Sequence, residues 1–184
     1  MTKHARSAAW KDVKTILAQQ SAPELLQLIR DLYALRPENK EFIRARFLST
    51  EETLQPYKTI IQESLYPDGT YDEPIQLARA RKAISDYKKA TKHARGTLEL
   101  MVYYVECGTQ CTVDFGDIDA WFYESLESMF AQVVQTLQQS GHDTIDQFLP
   151  RLEAIVRQAR GIGWGYYDDL SATLKAAFPT CHRI

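Results

Sequence analysis

Seven cations crowd into seventeen residues: Arg79, Arg81, Lys82, Lys88, Lys89, Lys92 and Arg95, with His93 among them and Asp86 the single acid. On a helical wheel they cover a broad arc beside an apolar stripe. Such a face can track phosphates, with Tyr87 placed to stack on a base, or it can dock on an acidic protein surface. Residues 96–150 reverse the sign, with no Lys or Arg and nine Asp or Glu. The two segments either neutralise each other or leave the basic face open to an anionic partner. Within the acidic stretch, Asp114, Asp117 and Asp119 are followed by Glu124 and Glu127. Three carboxylates in six residues can hold a hard cation, although Gly116 is too early for an EF-hand and the closing glutamate is missing. The simpler reading is that Asp117 caps a helix, whose positive end the acidic residues complement.

Other chemistry is thin. Cys107 and Cys111 are four apart, and Cys181 with His182 adds two further zinc donors, but structural zinc uses tighter paired spacings. A nucleophilic thiol needs an electropositive surround, and these two sit in the acidic stretch. The histidines (4, 93, 142 and 182) are scattered. Gly161, Gly163 and Gly165 lack the preceding strand that a dinucleotide site requires, so they read as a joint between helices. There is no Gly-Lys-Ser/Thr phosphate loop, no Gly-x-Ser-x-Gly elbow and no His-Glu-x-x-His. No cofactor is implied.

The elements that would position these residues are helical. Trp10, Val13, Ile16 and Leu17 set a first helix over 8–19. Ser21-Ala-Pro-Glu24 is a capping box ahead of the stripe Leu25, Leu26, Ile29, Leu32 and Leu35, which predicts a helix over 22–35. Pro37 starts another, through Phe42, Ile43 and Phe47. Ser49-Thr-Glu-Glu52 reads as a second capping box, opening a segment to Tyr66 that Pro56 must kink or delay. The turn-rich stretch 67–74 is the one internal boundary on offer. The basic residues fall on a helix over 74–92, with Leu77, Ala80, Ile84 and Tyr87 inward.

Residues 97–107 are apolar nearly all round. This predicts a buried central helix, with a hairpin of strands 98–106 and 110–115 as the alternative. Asp117 then opens a helix to Gln139. Asp143 caps another to Arg160, which Pro150 bends or restarts. Tyr166-Tyr-Asp-Asp169 starts the last helix, over 166–178. The expected class is all-α, with eight or nine helices stacked as antiparallel hairpins, in a solenoid-like array or a compact bundle.

Length and composition agree with one such domain of 184 residues, 45% hydrophobic and 25% charged, with a formal net charge of −2. No run is long enough for a membrane span, and the N-terminal residues do not read as a secretory signal. Three cysteines are expected to be free thiols in a reducing, cytoplasmic setting. Residues 32–47 echo a tetratricopeptide junction once, but no 34-residue period follows.

The chain resembles a small, mainly bacterial family catalogued as a domain of unknown function. The resemblance rests on Leu25 to Tyr33 with Pro37 to Phe42, on Lys82 to Lys89, and on Glu99 to Glu106 running through Phe115–Asp119 to Phe122–Leu126. It implies an all-helical cytoplasmic protein and carries no activity. The expected function is a non-enzymatic module that binds a protein partner on a surface between its helices. The alternatives are a nucleic-acid accessory protein using 79–95 and a metal protein or enzyme using Asp114, Asp117, Asp119 and Glu124. Exposure of Trp121 or Tyr123 would point to a dimer face.

Overall fold

The Ser21 amide donates to Glu24 Oε2 at 2.7 Å, closing the capping box, with Pro23 in the first turn. This fixes the start of α2 (Ala22–Leu35). Ahead of it lies α1 (Trp10–Leu17), where Asp12 accepts from the Ala9 amide at 3.1 Å. Arg36 is extended, as the residue before a proline must be, so α2 stops and α3 (Pro37–Leu48) begins. The computed structural model describes residues 9–48, 51–66 and 74–179. Among them are nine α-helices, one 3-10 turn (Glu51–Thr53) and no strand, which is the all-α class expected.

The chain divides into two compact units, residues 1–43 and 44–184. In the first, no described side chain is buried. Asn39 Nδ2 donates to the Leu32 carbonyl at 2.8 Å, and Lys40 lies over the Tyr33 ring.

The second unit holds the core. It begins within α3, where Ala45 is buried and Arg46 donates to the Ala90 carbonyl at 2.9 Å. The following helices are α4 (Gln55–Leu65), α5 (Leu77–Thr91), α6 (Ala94–Phe115), α7 (Ala120–Gln138), α8 (His142–Gln158) and α9 (Tyr166–Ala177). Pro56 acts by delay: α4 starts beside it, after the 3-10 turn. Ser49 and Thr50 of the second capping box, and most of the 67–74 stretch, lie outside the described residues. The Gln76 amide donates to the Ser64 carbonyl at 2.9 Å, and α4 and α5 pack together.

The apolar run forms one 22-residue helix rather than a hairpin, and it is longer than the expected 97–107. α6 packs against α4, α5, α7 and α8, so this unit is a bundle around a central helix. Two glycines inside α6 make the close approach possible. A methyl at position 96 would overlap the Tyr87 ring, and one at 108 would lie 2.8 Å from Leu126 Cδ1 and closer still to Cδ2. Each glycine costs about 1 kcal/mol of helix propensity against alanine, which the tight packing offsets.

Three boundaries differ from expectation. The cap of α7 is Asp119, which accepts from the Phe122 amide at 2.9 Å, and not Asp117. α8 starts after Gly141, with Asp143 in its first turn, and continues through Pro150. α5 ends at Thr91, and Lys92 takes the left-handed backbone (φ 55°) usually left to glycine.

Candidate functional site

The basic segment divides into residues tied to the fold and residues that are not. Arg79 pairs with Glu63 at 2.8 Å, and Lys82 with Asp86 at 2.5 Å. Arg95 hydrogen-bonds Gln147. Arg81 is anchored: Nε donates to Ser125 Oγ at 3.0 Å, Nη2 donates to the Ser125 carbonyl at 2.7 Å, and the guanidinium lies 5.6 Å from the Tyr104 ring centre. Lys88, Lys89 and Lys92 are exposed, and their side chains have no hydrogen-bond or ion-pair partner among the described residues. They stand at the last turn of α5, where cations complement the negative helix end.

Arg81, Lys88 and Lys92 also edge a groove of about 640 Å³ between α5, α6 and α7. Its apolar lining is Ile84, Leu98, Met101 and Met129. The far wall is uncharged, built by Gln132, Gln135 and Thr136 of α7, and no carboxylate lines the groove. The arrangement offers one anchored guanidinium and two exposed ammonium groups, all from the α5 side, and methionines that adapt to the shape of whatever enters. Met101, Met129 and the glutamines were not singled out from sequence as a site. The only sequence signal was the absence of charge on α7 beyond Glu127.

Tyr87 cannot serve as a stacking residue. It is 2% exposed, packed edge-on to Tyr57 with ring centres 5.2 Å apart and lying over Gly96. Arg79 and Lys82 pair with Glu63 and Asp86, while Arg81 and Arg95 reach Ser125 and Gln147, within residues 96–150, by hydrogen bonds. Two acids of that stretch are neutralised elsewhere. Glu99 accepts from Lys58 at 2.6 Å and from Arg151 at 2.5 Å, and Glu106 accepts two bonds from Arg151, each 2.7 Å. Burial opposes the Glu99 charge, but the hydrogen bonds from Arg151 and Lys58 outweigh it and hold its pKa below the usual value. Glu99 and Lys58 also line a second cavity of about 360 Å³ with His93, Arg95 and Gln147.

The acidic cluster is not brought together as a metal site. Asp114 accepts from Tyr66 at 2.8 Å and Gln110 at 2.9 Å. Asp117 accepts from the Tyr123 hydroxyl at 2.9 Å and the Gly163 amide at 3.2 Å, tying the α6–α7 loop to the glycine joint. Asp119 caps α7, and Glu124 is exposed on that helix. Among the described residues, no three His, Cys, Asp or Glu side chains converge as metal ligands would. Cys181 and His182 lie outside those residues. Cys107 and Cys111 are buried, and burial pushes each thiol up to about 11. Trp121 is exposed, whereas Tyr123 is buried against Phe122 and Tyr166.

No helix among the described residues is long and apolar enough to cross a membrane. Compared with known protein families, curated proteins and solved structures, the chain matches none.

Proposed function

We propose that the chain is a cytoplasmic protein-interaction module whose second unit takes up an acidic, amphipathic segment of a partner protein in the α5–α6–α7 groove. The observation that carries this reading is the pairing of an apolar floor with a one-sided rim of unpaired lysines and no carboxylate in the lining. An amphipathic helix laid in such a groove buries its apolar face on Met101 and Met129 and sets its acids against Lys88 and Lys92. Rim charges steer the encounter and select the partner, while the apolar floor holds it.

The test is capture from an extract of the cells that make the protein, with and without nuclease. It is repeated with Lys88→Glu/Lys89→Glu/Lys92→Glu and with Met129→Gln. A protein retained after nuclease and lost in both variants supports the reading. Retention indifferent to both variants refutes it.

A second reading, nucleic-acid binding, draws on the three unpaired lysines. It requires nuclease-sensitive capture, loss in the lysine variant and steep salt dependence, with Met129→Gln neutral. Without Tyr87 to stack, that face offers phosphates charge alone.

A further inference from the structure

Arg81 is a half-buried guanidinium that meets no carboxylate among the described residues. Neutral groups alone hold it. Nε and Nη2 donate to the hydroxyl and the carbonyl of Ser125, the Tyr104 hydroxyl bonds the same Ser125 Oγ at 2.7 Å, and the guanidinium rests on the Tyr104 ring. A charge taken partly out of water costs free energy until an opposite charge meets it. This one is also oriented in advance, so a carboxylate that reaches it gives up little entropy in finding the fork.

Its place is the end of the α5–α6–α7 groove. The lining residues run from 94 to 101 on α6 and from 136 back to 129 on α7. Tyr104 and Ser125 fall about one turn beyond those spans, and Arg81 is the matching last lining residue of α5, counted back from Lys92. The side chain therefore crosses from α5 to α7 over α6 and shuts the groove there.

Resting on the reading of that groove given above, we infer that the partner segment it takes up is a chain end, with the partner's C-terminal carboxylate seated on Arg81. A helix that stops there turns its negative end to the guanidinium and runs antiparallel to α5. Lys88 and Lys92 stand seven and eleven residues from Arg81, about 10 and 16 Å along one face of α5. Acids about seven and eleven residues before the partner's last residue then face the two lysines, and at the helical period they share one side. They also lie toward the N-terminal end of the partner helix, where carboxylates suit its dipole. The partner class is thereby narrowed to proteins whose C-terminus is an acidic, amphipathic helix.

The probe is a synthetic peptide of about fourteen residues, with Leu and Met on one face and Glu about seven and eleven positions before a free C-terminus. It is compared with the same peptide ending in an amide, and with one that carries Glu at that last position and runs on for about four residues. Binding to the full chain is read by fluorescence anisotropy. The free acid is expected to bind roughly ten- to a hundredfold more tightly than either of the others, the effect of one charge-assisted hydrogen bond. In Arg81→Gln the acid-to-amide ratio is expected to fall close to one. In Lys88→Glu it is expected to persist while both peptides weaken. Ser125→Ala keeps the charge but frees the guanidinium, and is expected to give an intermediate ratio. The ratio is read within one protein, so a variant that only loosens the fold does not move it. Equal binding of acid and amide overturns the inference, and so does full binding of the extended peptide, which would assign Arg81 to a side-chain carboxylate. If that binding is still lost in Met129→Gln, the groove reading itself stands. Binding of none of the three overturns the inference as well, and leaves the groove reading to its capture test.

Discussion

Glu99→Gln isolates what the half-buried ion network contributes. The substitution keeps the shape of the side chain and removes its charge. Arg151 retains its two bonds to Glu106, but Lys58 is left without its carboxylate. The side chains concerned are 16 to 28% exposed, so solvent recovers part of the loss. Breaking a fully buried pair costs about 3–5 kcal/mol, and breaking an exposed one less than about 1 kcal/mol. The intermediate burial here sets an expected loss of about 1.5–3 kcal/mol at pH 7. For a chain of this size that lowers the melting temperature by roughly 4–10 °C.

The pH dependence follows from the depressed pKa of Glu99. A carboxyl held below its ordinary value of 4.5 contributes stability that is fully present above that value and is lost as pH falls through the folded pKa. Urea denaturation followed by circular dichroism at pH 7 and at pH 3 should therefore give a large difference between wild type and variant at the first and a much smaller one at the second. A loss under about 0.5 kcal/mol at pH 7, or one equally large at pH 3, would refute the assignment of stability to the charge. Lys58→Met added to Glu99→Gln should recover part of the loss, because it removes the stranded ammonium.

Three further outcomes are expected. Gly108→Ala gains helix propensity but forces a methyl onto buried Leu126, so chemical denaturation should show a net loss of about 1–2 kcal/mol, reduced when Leu126→Ala is added. Lys92→Gly relieves the left-handed backbone at the end of α5 and should raise the denaturation midpoint by the equivalent of about 0.5–1 kcal/mol while weakening capture of the proposed acidic partner. Cys107 and Cys111, raised to about 11 by burial, should resist thiol reagents at pH 8 and react on denaturation, as peptide mapping by mass spectrometry would show.

Features written in consecutive residues were legible in the sequence. The Ser21–Glu24 box fixed the start of α2 at the residue where it lies, and the unbroken apolar run from Leu98 to Val105 marked the central helix. Features that depend on distant partners were not. Asp117 and Asp119 have the same capping chemistry, and what separates them is Gly163, 46 positions away, whose amide claims Asp117. Lys58, Glu99 and Arg151 come from three helices, 41 and 52 residues apart, with no local pattern to join them. The basic arc was visible, but which cations are held and which are open was decided by Glu63, Asp86 and Ser125. The helical wheel placed Tyr87 inward with Ile84, and that placement, rather than its aromatic chemistry, set its role.

All three tryptophans of the chain, Trp10, Trp121 and Trp164, stand 62 to 76% exposed, while the aromatic rings buried in the core are those of tyrosine and phenylalanine. The intrinsic indole emission of the folded protein therefore already resembles that of indole in water, and it is a poor gauge of global unfolding. The same placement makes each indole a local reporter. Trp10 belongs to the first unit, Trp121 to the start of α7, and Trp164 to the joint between α8 and α9. With two of them replaced by phenylalanine, a blue shift of the third would say which of these surfaces a partner had covered.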